Sequence, residues 1–127
     1  MTGSELFIKA LDICGLRQGE FDLPIDTDDL QKRALSLINI ILAENSILDS
    51  KIRKTEHKVI GISSLEDNID CSQIVAEAVL PYGLAKLLML GDDDNLAESF
   101  GKIYEAGKKN ALTFGKAKAG SILEVYE

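Results

Sequence analysis

The stretch "VLPYGLAKLLMLGDDDNLAESF", from Val79 to Phe100, sets an almost wholly apolar segment against three consecutive aspartates. Its first part extends an apolar pattern that begins after Asp70 or Ser72, either of which can cap a helix, and that runs to Leu90 with Gly91 in the C′ position. At 1.5 Å per residue such a helix is roughly 28 Å long. Its polar residues Glu77 and Lys86 point to opposite sides, because each residue turns the helix by about 100°. A helix without a solvent face has to be covered all round, which few-helix domains achieve poorly alone, so burial against a neighbouring subunit or partner is expected.

The aspartates then decide between a site and a turn. A calcium loop needs alternating acids, glycine at its sixth position and glutamate at its twelfth; counted from Asp92 those positions hold Ala97 and Ile103. The expected role is a turn followed by an N-cap, with carboxylates favoured by the helix dipole. After them Leu96, Phe100, Ile103, Gly107, Ala111 and Phe114 recur as one helical stripe.

Upstream, Leu6, Phe7, Ala10, Leu11 and Cys14 share helical spacing, with Thr2 and Glu5 as a capping box and Gly15 as the stop. "GLRQGEFDLPID" reads as a loop leading to a cap at Asp26 or Thr27. Leu30, Ala34, Leu37 and Ile41 then mark an amphipathic helix ending near Glu44. "DSKIRKTEHKVIGISSLEDNID" has strand-like pieces without clean alternation and reads as an extended loop or a short hairpin. The expectation is an all-α, small four-helix bundle-like domain over residues 1–113, with an extended middle loop. A C-terminal tail, 114–127, ends in the apolar patch Ile122, Leu123, Val125 and Tyr126.

Composition narrows function. A chain of 127 residues with 46% hydrophobic content supports one core. The N-terminus lacks a signal-peptide pattern, which predicts cytoplasmic residence, and no apolar run is long enough for a membrane span. The two cysteines, Cys14 and Cys71, fall on apolar stretches and read as small core residues. His57, the single histidine, has no Cys or carboxylate partners at zinc spacing. "GKIYEAGKK" departs from a phosphate loop in carrying Lys109 where Ser or Thr belongs. No enzyme, cofactor or metal signature survives. A net charge of −7 opposes phosphate-backbone wrapping, although Lys102, Lys108, Lys109, Lys116 and Lys118 form a basic strip. That strip supports a rival reading, a small DNA-binding or regulatory helical module.

The order of features in "ALDICGLRQGEFDLPIDTDDLQKRALSLINIILAENSI" and in "SLEDNIDCSQIVAEAVLPYGLAKLLMLGDDDNLAESFGKIYEA" resembles the small helical adaptor proteins of tailed bacteriophages, the head-tail connector, head completion or tail accessory factors. The resemblance spans Leu6 to about Ala111 and rests on apolar and small-residue patterns. It implies a homo-oligomeric ring, usually of twelve copies, beneath the portal protein, extending the DNA channel and offering a platform to tail or stopper proteins. It implies a virion location, with assembly in the host cytoplasm, and DNA met only as channel cargo. Contacts with the portal or a neighbouring subunit are expected from Lys108, Lys109, Lys116, Lys118, Ile122, Leu123, Val125 and Tyr126. An acidic channel wall would keep passing DNA from adhering.

Overall fold

Helix α1, Gly3–Cys14, begins as its residues dictate: Thr2 Oγ1 accepts the Glu5 backbone N–H at 3.1 Å, and Gly15, at φ 70°, closes the other end. The computed structural model describes residues 1–15 and 27–125, with side chains over 1–15 and 32–114. The described chain is all-α, with no strand, and forms a small bundle.

Helix α2, Thr27–Arg53, runs nine residues past the expected end at Glu44. The polar residues beyond Glu44 are accommodated on the helix itself. Asn45 Nδ2 donates to Ile41 O at 2.8 Å, Ser46 Oγ to Ala43 O at 3.0 Å, and Ser50 Oγ to Ser46 O at 2.8 Å. Short polar side chains that bond back to their own helix need not break it. The helix ends at Lys54, whose φ of 59° leaves the right-handed region.

The segment from Thr55 to Ser72 is the expected extended loop, but not a hairpin. Its one bridge joins Asn68 to Thr2, so the partner is the N-terminal segment and not a second strand of the loop. Ile69 N–H donates to Met1 O at 2.8 Å, and Ser4 N–H to Leu65 O at 2.8 Å. Asn39 clamps the loop to α2 by donating to Ile62 O at 2.9 Å and accepting from Ile62 N–H at 2.8 Å. Asn39→Ala removes both bonds and leaves the backbone of a buried residue short of partners, so stability should fall by about 1–2 kcal/mol. Urea denaturation measures it; an unchanged midpoint would show that the clamp is dispensable.

The apolar stretch that was expected to form one long helix is two. Helix α3, Gln73–Ala78, and helix α4, Leu80–Met89, meet at Val79, where φ is −111°. Pro81 has no N–H to offer the Glu77 carbonyl, and its ring crowds that oxygen, so the helix breaks just before it. Of the two candidate caps, Ser72 takes the N-cap position, yet its own side chain caps nothing. Buried Asp49 accepts the Ser72 N–H at 2.6 Å instead, while Asp70 pairs with Arg53 at 3.0 Å.

The break explains how an all-round apolar helix fits a small domain. Helix α4 is only ten residues long and touches α1, α2, α3 and helix α5, Asp94–Val125. Leu80, Leu84, Ala85 and Leu88 are essentially inaccessible. Covering α4 therefore requires no neighbouring subunit, contrary to the sequence expectation. The aspartates do form the turn and cap expected of them: Asp93 Oδ1 accepts from Leu96 N–H, and Asp94 Oδ1 from Gly91 N–H, both at 3.0 Å.

Helix α5 corrects the predicted stripe. Ala97, Phe100, Tyr104 and Ala111 are buried, whereas Ile103 and Phe114 are 44% and 53% exposed. Tyr104 takes the inward place because Gly83 on α4 makes room for its ring; a Cβ on Gly83 would lie 2.7 Å from Tyr104 Cε1. The expected division between residues 113 and 114 falls inside this continuous helix.

Candidate interaction surfaces

Tyr104 OH accepts from Asn45 Nδ2 at 2.8 Å and donates to Glu44 Oε1 at 3.2 Å, tying α5 to α2. Burial pushes its phenol well above the usual range, so it holds its proton and serves as a structural link. Ser46 and His57 form a pair that sequence spacing did not reveal, with Oγ 3.0 Å from Nε2. Ser46 Oγ also donates to Ala43 O at 3.0 Å, so its one proton is not committed to the imidazole. Ser46 is buried, and no carboxylate is bonded to the second imidazole nitrogen among the described residues, so the arrangement lacks both the access and the orienting group of a nucleophilic pair.

Cys14 Sγ lies 3.7 Å from Ala85 O, and burial pushes the Cys14 thiol from 9.0 up to about 11. Cys71 is likewise pushed up to about 11, by burial and then by Asp49. Thiolate is the reactive form, so below pH 9 each thiol should react about a hundredfold more slowly than one at its ordinary value, before shielding adds to the effect. Labelling with a thiol probe between pH 7 and 10 tests this: rates at both positions should still be climbing at pH 10. A plateau near pH 9 would refute it. Among the described residues no three His, Cys, Asp or Glu side chains come together as metal ligands, and no helix is long and apolar enough to cross a membrane.

The basic strip is partly spent within the chain. Lys108 Nζ sits 4.1 Å from the centre of the Tyr104 ring and 3.3 Å from Glu105 Oε1. Lys102 faces Glu98 at 3.8 Å. Lys109 is exposed beside a shallow cleft that Glu98 and Glu105 also line. Lys116, Lys118, Ile122, Leu123 and Val125 occur on the helical backbone of α5, while their side chains, and all of Tyr126, lie outside the described residues. Of the eight expected contact residues, Lys108 and Lys109 are those whose side chains are described.

Two apolar surfaces emerge instead. One is a groove of about 510 Å³ along the α3/α5 seam, lined by Ile74, Ala78, Ile103, Ala106, Gly107 and Phe114. Gly107 lets the helices approach closely, since a Cβ there would stand 2.9 Å from Ala78 O. The other is a ridge on α2, where Ile40 and Ile47 are 49% and 55% exposed and Ala43 between them is exposed too. Stripe reasoning placed Ile103 and Phe114 in the core and did not single out Ile40 or Ile47. The one available signal was that α2 has apolar residues on two sides.

Comparisons with protein-family models, with curated proteins and with solved structures found no match.

Proposed function

We propose that this chain is a non-enzymatic virion protein, a head-tail connector of a tailed bacteriophage that works as a ring of copies beneath the portal protein. One observation carries the reading: the core closes within a single chain, yet large apolar side chains stay half exposed on α2 and α5. Apolar area of that kind suits protein contacts rather than small-molecule chemistry. The resemblance of the two helix-pair stretches to phage adaptors names the kind of contact, and the net charge of −7 suits the wall of a DNA channel. In this reading the ring extends the channel, receives tail or stopper proteins on its far side, and meets DNA only as cargo. The C-terminal tail, 114–127, docks on the portal or on a neighbouring subunit.

The DNA-binding alternative is weakened by the internal pairing of Lys102 with Glu98 and of Lys108 with Glu105. It predicts DNA affinity that falls steeply with salt.

Native mass spectrometry of the protein, alone and mixed with the portal protein encoded beside it, tests the proposal. A defined multi-copy ring on the portal is the expected result, and a chain lacking Ile122–Glu127 should stay folded but not assemble there. Failure to engage the portal at any ionic strength would overturn the reading.

A further inference from the structure

We propose that copies of this chain associate head to tail, the α2 ridge of one copy seated in the α3/α5 groove of the next. The inference rests on the connector reading for the closed ring, while the two surfaces themselves come from the exposure pattern. Among the described residues, four of the six exposed large hydrophobics belong to these surfaces: Ile40 and Ile47 on the ridge, Ile103 and Phe114 on the groove.

The shapes correspond. Ile40 and Ile47 stand seven residues apart, on one line of α2 and separated by about 10 Å along its axis. Ile103 and Phe114 stand eleven residues apart on one line of α5, about 16 Å, with Gly107 and Ala78 as a low floor between them. A ridge of that length fits between those two side chains. It cannot do so within one copy. Ile40 and Ile47 share the α2 face of Glu44, which bonds Tyr104, so the ridge is held on a different side of α5 from the α3 seam.

Charge selects the same pairing. Arg33 and Lys51 extend the ridge at its two ends, and both are exposed with no ion pair among the described residues. Glu44, the acid on the ridge, is engaged by Tyr104. Beside the groove, exposed Glu77 on α3 is bonded only to the Gln73 amide. Ridge against groove therefore brings Arg33 or Lys51 toward Glu77, whereas ridge against ridge adds cation to cation. A contact between two different surfaces is heterologous, and heterologous contacts close into rings when the rotation between copies allows it.

The test uses two full-length variants, Ile40→Ser/Ile47→Ser in the ridge and Ile103→Ser/Phe114→Ser in the groove, each checked for native helicity by circular dichroism. Native mass spectrometry is run with and without the portal protein. Each variant alone should lose self-association by roughly tenfold or more. Their equimolar mixture should give one-to-one heterodimers and nothing larger, because it retains a single intact ridge-groove contact. Variants that assemble like wild type, or a mixture that stays monomeric, overturn the interface. If both variants still form rings on the portal, the interface falls and the connector reading stands. Should wild type self-associate through these surfaces yet ignore the portal, the connector reading falls and the interface stands. A wild-type chain that is monomeric under every condition overturns both.

Discussion

Leu84→Asp should leave no cooperatively folded protein. Leu84 is fully buried on α4, the helix that every other helix of the bundle touches, with Leu80 and Leu88 a turn to either side. Truncating a buried leucine costs about 2–5 kcal/mol through lost contacts and the cavity left behind. An unpaired carboxylate adds a desolvation penalty of several kcal/mol, and protonating it still leaves polar atoms without partners. The sum reaches or exceeds the 5–15 kcal/mol that usually separates folded from unfolded domains. Thermal and urea unfolding followed by far-ultraviolet circular dichroism measures this. Leu90→Asp is the control: Leu90 is 50% exposed on the same apolar stretch, so its replacement should change stability by about 0.5 kcal/mol or less. A soluble Leu84→Asp protein melting within a few degrees of wild type would refute the central placement of α4.

Gly83→Leu should be destabilising by about 3 kcal/mol, the upper end of what overpacking usually costs. Even the first added carbon meets the Tyr104 ring, with Cε1 at 2.7 Å and Cδ1 and Cζ at 3.0 Å. The ring has little freedom to yield, because its hydroxyl is held by Asn45 and Glu44 and Lys108 lies over its face. The α4/α5 crossing has to open. Gly101→Ala, on α5, should behave in the opposite way. Its Cβ would meet the Lys86 side chain at 3.4 Å, a flexible stem, so the helix-propensity gain of up to about 1 kcal/mol is largely kept. Urea midpoints for the two variants should move in opposite directions. A Gly83→Leu midpoint equal to wild type would show that α4 and α5 do not cross as closely as described.

Both variants turn on one point about what a one-dimensional pattern contains. The caps and stops of α1, the turn at Asp92–Asp94 and the all-α class were legible because they depend on residues within a few positions of one another, which a linear sequence displays directly. The over-extended third helix and the early end of the second were local errors. Pro81, which lacks an N–H, splits the third helix in two, and Asn45 and Ser46 let the second continue by bonding back to it.

The surfaces were less legible. Apolarity ranks isoleucine above tyrosine, which by pattern alone makes Ile103 the inward residue. The ordering reverses because a glycine twenty-one residues away clears space for the Tyr104 ring and an asparagine on α2 satisfies its hydroxyl. Likewise the apolar circumference of α4 suggested an outside partner, whereas the chain supplies the cover itself and leaves exposed apolar groups on α2 and α5. Sequence by itself determined which segments become helices and where several of them start, because capping, dipole and backbone effects act over one turn. Only the tertiary structure decided which faces are sealed and which remain open, because burial depends on the volumes and hydrogen-bonding groups of residues far apart in the chain.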